Sequence, residues 1–313
     1  MDRYPRESYQ LATKLPAWAG AKTAEEARAM LATSLERTGA GYFDFYLLHN
    51  LGDNRTEAFD RFGIWDFLAE QKAKGVIKHL GFSFHDKADV LDDLLNKHPN
   101  MEFVQLQINY ADWESASIQS RACYEVARKH GKPVVIMEPV KGGNLVNLPE
   151  DAKAVLEDLH GGSPVSYAIR FVAGFPGMMM VLSGMSSMEQ MQDNISFMRD
   201  FKPLDETERA AVEKVQEIFH SKDLIPCTAC RYCTDGCPKH ISIPDLFAIM
   251  NAKQIHHDWN ADCYYEDVHT APGRKASDCL KCGKCEKVCP QHLPIRKLLE
   301  QVAAEFEKAP AAN

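Results

Sequence analysis

The sequence predicts an α/β chain: six strand–helix units that build part of a β/α barrel, then a small, mainly helical, cysteine-rich domain. Three observations carry this. From Tyr9 onward, short runs of β-branched and aromatic residues alternate with amphipathic helical stretches. The strand runs are nearly continuous in apolar residues, which marks strands buried on both faces, as in a parallel sheet with right-handed crossovers. Polar residues then stand at successive strand ends, at Lys14, His49, Ser83, Asn109, Glu138 and Ser183, where a barrel builds its active site. A doubly wound sheet is the competing arrangement, but no Gly-x-Gly-x-x-Gly follows a strand.

Taken in order, the strands are expected at Tyr9–Thr13, Phe43–His49, Ile77–Phe84, Phe103–Asn109, Pro133–Glu138 and Met179–Ser183. The helices between them are expected at Ala24–Thr38, Phe59–Lys74, Lys87–Lys97, Ile118–His130, Ser166–Ala173 and Met188–Met198. Thr23-x-x-Glu26 and Ser186-x-x-Glu189 read as capping boxes. The run Met178-Met179-Met180 reads as strand core. Asp205-x-x-Glu208 opens a further helix, Asp205–His220. Helices at Ser242–Lys253, around Cys263–Asp267 and at Ile295–Glu307 follow, with a loose tail at Lys308–Asn313. The expected divisions are a partial barrel over 1–203, a connecting helix over 204–225 and the cysteine-rich domain over 226–313.

Composition excludes several classes. Apolar residues make up 45% and charged residues 26% of 313, as in an ordinary globular protein. The net charge of −8, with no Lys/Arg run interleaved with aromatics, argues against nucleic acid as a partner. No apolar stretch approaches the ~20 residues of a membrane span, and the polar N-terminus is not a signal peptide. The expected compartment is the reducing cytoplasm.

The cysteines carry the most specific signal. Cys227-x2-Cys230-x2-Cys233-x3-Cys237-Pro238 is repeated as Cys279-x2-Cys282-x2-Cys285-x3-Cys289-Pro290. This is the bacterial ferredoxin spacing for two [4Fe–4S] clusters, in which the fourth cysteine of each run serves the other cluster. Cys227, Cys230, Cys233 and Cys289 are then expected on one cluster, and Cys279, Cys282, Cys285 and Cys237 on the second. A zinc site would need only four ligands, usually in two short knuckles. Cys123 and Cys263 remain over, expected to be buried and inert, and structural, respectively.

Several motifs, in order, resemble those of the aldo/keto reductases: Ala12-Thr13-Lys14-Leu15-Pro16, Asp44-Phe45-Tyr46-Leu47-Leu48-His49, Gly75-x-Ile77-Lys78-x-Leu80-Gly81-Phe82-Ser83, Val104-Gln105-x-x-Ile108-Asn109-Tyr110 and Glu138-Pro139-Val140-Lys141-Gly142-Gly143. The chain looks most like the bacterial branch whose barrel is followed by a dicluster ferredoxin domain. The resemblance implies hydride transfer between NAD or NADP and a small carbonyl or alcohol substrate. Lys14 and His49 match the family's catalytic Lys and His. A lysine at the barrel mouth supplies positive charge near a developing alkoxide, and a neutral histidine donates a hydrogen bond to it.

Ser83 and Gln105 match residues that hold the nicotinamide carboxamide, and Asn194 matches an adenine contact. Lys141, Gly142 and Gly143, then Ser183 and Gly184, match the loops after the family's last two strands, where barrels bind phosphate. Met137 stands where many relatives stack an aromatic, and Gln190 where many place an arginine for the 2′-phosphate.

The resemblance also implies that two βα units, with the general-acid Tyr and its partner Asp, belong before the point matching Met1. Six of eight units are then expected here as a sheet open between its first and last strands, an edge that invites dimerisation, aggregation or cover. Tyr4 and Tyr9 do not replace the acid, since neither stands at a strand's C-terminal end. The expected function is an aldo/keto reductase-type oxidoreductase coupled to a two-cluster module that exchanges electrons with an external carrier, a ferredoxin or flavoprotein. The alternatives are a non-catalytic iron–sulfur electron-transfer protein with a remnant barrel, and a truncated form of a longer active reductase.

Overall fold

The computed structural model describes residues 3–115, 118–143, 145–159, 161–220, 225, 227, 231–256, 260–270, 274–289 and 293–307. Cys230 and the expected loose tail lie outside them. The described residues pack as two compact units, 1–139 with 168–204, and 140–167 with 205–313. The segment 140–167, which sequence reading assigned to the barrel, thus groups with the C-terminal part.

The first unit is built on six strands: β1 (Ala12–Leu15), β2 (Phe43–Leu51), β3 (Ile77–Phe84), β4 (Val104–Gln107), β5 (Val134–Met137) and β6 (Met178–Val181). All pairs are parallel and the order is sequential, β1 to β6. Among the described residues β1 and β6 each have one neighbour, so the sheet is open between them as expected. Among the described residues the α-helices up to the end of this unit are α1 (Ala24–Thr38), α2 (Asp53–Arg61), α3 (Ile64–Ala73), α4 (Ala88–Lys97), α5 (Ser120–Lys129), α6 (Glu150–Glu157), α7 (Pro164–Ala173) and α8 (Met188–Met198).

Strand alternation sorts the sheet's two faces. Tyr46, Leu48, Leu80, Phe82, Leu106 and Ile136 bury against Leu31, Leu68, Leu91 and Ala127 of α1, α3, α4 and α5. The other face carries a small separate cluster of Leu47, Phe103 and Val135, with Phe45 packed on it. Gly81 is required there: a Cβ would stand 2.5 Å from the Phe103 carbonyl oxygen.

Several elements differ from expectation for local reasons. β1 begins at Ala12 rather than Tyr9, because Arg6 bonds the Tyr9 carbonyl and Asp44 the Leu11 N–H in place of a ladder partner. The long helix Phe59–Lys74 is two, broken at Gly63 with φ 60°. α6 was not anticipated, although it starts after Pro149 with Glu150 and Asp151 in its first turn. The Thr23 hydroxyl accepts from Glu26 N–H, but the Glu26 carboxylate reaches Lys22, one residue before the cap. The capping box of α8 is Ser187 with Gln190, one residue later than Ser186 and Glu189.

Met179 and Met180 are 39% and 47% exposed rather than core, because β6 is an edge.

In the second unit, α9 (Glu206–His220) opens on the expected reciprocal pair, with Asp205 accepting from Glu208 N–H and Glu208 from Asp205 N–H. α6 packs on α9. Next come α10 (Tyr232–Asp235), α11 (Ile243–His256), α12 (Asn260–Cys263), a π-helical turn (Tyr264–His269), α13 (Lys284–Lys287) and α14 (Ile295–Phe306). Their core joins Ile241, Ile243, Leu246 and Phe247 to Ile295, Leu299, Val302 and Phe306. Cys123 is buried in the first unit, whereas Cys263 is exposed and no part of this core. No helix among the described residues is long and apolar enough to cross a membrane.

Candidate active site and cluster site

The strand register places the first set of predicted residues. Leu15 pairs with Leu48, and Leu48 with Phe82, so Lys14, His49 and Ser83 lie within one residue of a common level. Ser83 and Gln105 are direct partners across β3 and β4. By alternation, Lys14 follows Leu47, Ser83 follows Gly81 and Gln105 follows Phe103, all on the face turned away from the helices. His49, two residues after Leu47, joins them at the strands' C-terminal end.

The site is electropositive and partly desolvated. Burial holds the Lys14 ammonium below the usual lysine range. Burial lowers His49 as well, and the charges of Lys14 and Arg55 add to it. His85, directly after β3, is lowered to about 4, first by burial and then by Arg55, His49 and Lys14. Both imidazoles are therefore neutral at neutral pH, each able to donate one ring N–H. Trp18 Nε1 donates to the His49 carbonyl at 2.8 Å, and its ring centroid lies 5.8 Å from the imidazole. Sequence reasoning missed His85 and Arg55. For His85 the signal was present, since it stands two residues after Ser83 in the alternation of the same strand.

The residues expected to hold a nucleotide are already engaged with one another. The Asn50 N–H donates to Ser83 Oγ at 2.8 Å, with Asn50 at φ 59°. The Asn50 Oδ1 is buried and accepts no hydrogen bond among the described residues. Gln105 Nε2 lies 3.0 Å from the Met137 sulfur. Asn194 donates to Ser183 Oγ at 2.8 Å. Gln190 Oε1 accepts from Ser186 N–H at 2.6 Å and Ser187 N–H, which occupies donors at the start of α8. Gly184 stands in open space. Lys141, Gly142 and Gly143 form a 3-10 turn closed by Gly143 N–H on the Val140 carbonyl; they belong to the second unit.

Within the second unit, Cys237, Cys279, Cys282 and Cys285 line one pocket, together with Pro238, Ile241, Ile243 and Leu299. The last cysteine of the first run therefore joins the first three of the second. Four thiols walling an apolar cavity suit a cube of irons and sulfides. Among the described residues, no group of three or more His, Cys, Asp or Glu could hold a single metal ion. The two runs share backbone geometry. The residue after each second cysteine is left-handed, Arg231 at φ 63° and Gly283 at φ 72°, and each opens a short helix that carries the third cysteine. At Arg231 the guanidinium pairs with both Asp245 oxygens, at 3.1 and 2.7 Å. Cys233 and Cys285 are buried, Cys227, Cys237, Cys279 and Cys289 half-buried, and Cys282 exposed. In the first unit, burial pushes the Cys123 thiol up to about 12, which keeps it protonated.

A parallel β/α sheet with cationic and imidazole groups at its strand ends, joined to a duplicated cysteine domain, defines an oxidoreductase scaffold with an iron–sulfur module. The chain belongs to the aldo/keto reductase family, whose family model matches residues 2–217. A 4Fe-4S dicluster domain model matches residues 226–294.

Among solved structures, the fold is similar to that of an aldo-keto reductase from Bacillus halodurans in its holo form. The TM-score is 0.54 at 23% identity, over 68% of this chain and 74% of that one. It is also similar to an aldo/keto reductase from Klebsiella pneumoniae in complex with NADP and acetate. There the TM-score is 0.53 at 20% identity, over 67% and 71%.

The acetyl-CoA decarbonylase/synthase complex subunit alpha 1 of Methanosarcina acetivorans is 31% identical over 77 residues. That of Methanosarcina mazei is 31% identical over 100 residues. The chain spans only 8% and 11% of the length of these curated relatives.

Proposed function

We propose that the protein is an NAD(P)-linked aldo/keto reductase-type oxidoreductase whose two-cluster module relays single electrons to or from an external carrier. The observation that carries the relay is Cys237 lining one pocket with Cys279, Cys282 and Cys285. That grouping supports crossed ligation, which makes one folded body of two runs far apart in sequence. One cluster would suffice to staple the domain, and the second favours a path for electrons.

When bound, a nicotinamide would supply or accept hydride and the clusters would carry one electron at a time. The chain's own residues would receive the carbonyl. Lys14 offers positive charge to its oxygen, and a neutral His49 donates a ring N–H and orients it. Ser83, Gln105 and the unpartnered Asn50 Oδ1 would hold the carboxamide, a group that needs both donors and acceptors. Nothing at Gln190 or Asn194 favours NADP over NAD, since both are bonded within the chain.

The general acid is the weak point of turnover by these residues alone. Tyr46 and Tyr110 are buried, and burial raises their hydroxyls far above the usual range. Tyr4 is 71% exposed, and Tyr9 lies before the N-terminal end of β1, under Arg6. A second reading, electron transfer without carbonyl turnover, follows from this.

Anaerobic preparation followed by iron and sulfide analysis tests the module, and about eight of each per chain is expected. Zinc in their place would overturn the relay. Nicotinamide binding with carbonyl turnover, tested on the same preparation, separates the reductase from the second reading. General acid catalysis is worth ~10²–10⁴-fold, so the expected turnover is weak.

A further inference from the structure

The two cysteine runs are alike in spacing but not in charge. Between Cys227 and Cys237 stand one cation and one carboxylate, Arg231 and Asp235. Between Cys279 and Cys289 stand Lys281, Lys284 and Lys287 against Glu286 alone, in a chain of net charge −8. The structure widens the difference. Arg231 is spent on Asp245, and Asp235 is exposed. In the second run the carboxylate is the partnered group: the half-buried Glu286 pairs with the Arg296 guanidinium at 2.7 Å, so its charge is offset within the chain. Glu300, on α14, is paired with Lys281. Lys284 and Lys287 are exposed and make no ion pair among the described residues.

Apolar surface lies in the same place. Leu280 is 61% and Val288 48% exposed, at either end of the second run. Lys239, Leu280 and Lys284 line the pocket that Cys237, Cys279, Cys282 and Cys285 share, and Cys282 is exposed. A cluster held there would have the exposed Cys282 as a ligand, with Lys239, Lys284 and the exposed Leu280 in the wall of the same pocket. Cationic rims of this kind steer an oppositely charged protein, and a small apolar centre gives it a seat.

We propose that an acidic one-electron carrier protein docks on this surface, with Lys239, Lys284 and Lys287 meeting its carboxylates and Leu280 its apolar centre. The cluster ligated by Cys279, Cys282, Cys285 and Cys237 is then the module's entry and exit point. In each exchange one electron leaves the reduced carrier and is gained by the oxidised cluster, or the reverse; no bond is made and no proton moves. This rests on the two-cluster reading above.

The test uses the anaerobically prepared holoprotein, with iron content measured on every sample. The probe is an acidic [2Fe–2S] ferredoxin, its binding followed by biolayer interferometry at low and high salt. Expected are binding that weakens steeply with salt and a loss of about tenfold or more in Lys284→Glu/Lys287→Glu, as for removal of steering charges. Lys284→Gln/Lys287→Gln should lose less. Lys97→Glu/Lys214→Glu, with the same change in net charge elsewhere, should bind as the parent does.

Full iron content with binding unchanged in Lys284→Glu/Lys287→Glu overturns the docking surface and leaves the two-cluster reading standing. So does tighter binding of a basic cytochrome c than of the ferredoxin, or a salt-sensitive dimer that the same variant dissolves. A protein without iron overturns both.

Discussion

Arg6 Nη2 donates to Asp44 Oδ2 at 2.7 Å and so ties the chain before the sheet to the second strand. The same carboxylate accepts from Leu11 N–H at 2.9 Å, and its other oxygen accepts from Lys78 at 2.9 Å. The Arg6 and Lys78 cations also lie over the Tyr42 ring, 3.8 and 4.1 Å from its centroid. Three segments, the entry to β1, the start of β2 and the start of β3, meet on one side chain. β1 is an edge strand of four residues, and this anchor holds it in register with Lys14 at the far end.

Asp44→Asn should destabilise the first unit by about 1–2 kcal/mol, a buried-pair value discounted because Lys78 is half exposed. Burial raises the Asp44 carboxyl, but Leu11, Lys78 and Arg6 outweigh it and hold it at about 2. The folded value lies below the unfolded one, so the contribution is present above about pH 4 and is lost as pH falls toward 2. Urea unfolding of parent and variant at pH 7 and pH 3 checks this. The gap between the two should shrink at the lower pH, and an equal gap at both would sink the assignment.

His85 gives a pH dependence in a different window. Its folded value, about 4, lies below the ordinary histidine value. Between about 6.5 and 4 the unfolded chain binds a proton that the folded one refuses, so stability should fall as pH drops through that range and level off below it. His85→Gln removes this slope. An NMR titration should show the His85 ring still neutral at pH 5.5. A ring that titrates near 6.5 would mean that His85 is not buried beside the Arg55 and Lys14 cations.

The elements legible in the sequence are those that one strong local signal fixes. α1 and α8 begin and end as expected because Thr23 and Gly39 close the first and the Ser-Ser-Met-Glu-Gln stretch starts the second. Which serine caps α8 was not legible, since Ser186-x-x-Glu189 and Ser187-x-x-Gln190 both fit the pattern; the extended backbone at Ser187 decides it. The duplicated cysteine run was legible because a cluster dictates spacing, and Cys237 of the first run lines one pocket with Cys279, Cys282 and Cys285 of the second. Met178 packs on the core as expected, but Met179 and Met180 were misread because composition does not say whether a strand has one neighbour or two. The contact of Asn50 with Ser83 was not legible, since it depends on a left-handed residue at the end of β2 that brings the Asn50 N–H to Ser83 Oγ.

Cys237→Ala tests the crossed ligation. The variant should damage the cluster that Cys279, Cys282 and Cys285 serve, although it lies in the other run. Iron should fall from about eight toward four per chain. The remaining EPR signal should match that of a Cys279→Ala variant and differ from that of Cys227→Ala. If Cys237→Ala and Cys227→Ala instead leave the same signal, each run serves its own cluster, and the shared pocket has another cause.

The open edge of the sheet carries the last prediction. Among the described residues β6 pairs only with β5, and exposed apolar residues stand on it, after it and on α8: Met180, Leu182, Met188, Met191 and Ile195 are all between 39% and 61% exposed. A strand with an unpaired side and exposed apolar residues is a template for association, which a charge on the edge blocks. Met180→Lys/Met191→Lys should therefore reduce dye binding by the native state and lower self-association in sedimentation at high concentration. Because both side chains already face solvent, the change in unfolding free energy should stay within about 0.5 kcal/mol. A loss of about 2 kcal/mol or more, the cost of a charge forced into a packed interior, would show that the strip is covered in solution. Only the first outcome fits a sheet whose last strand ends in water.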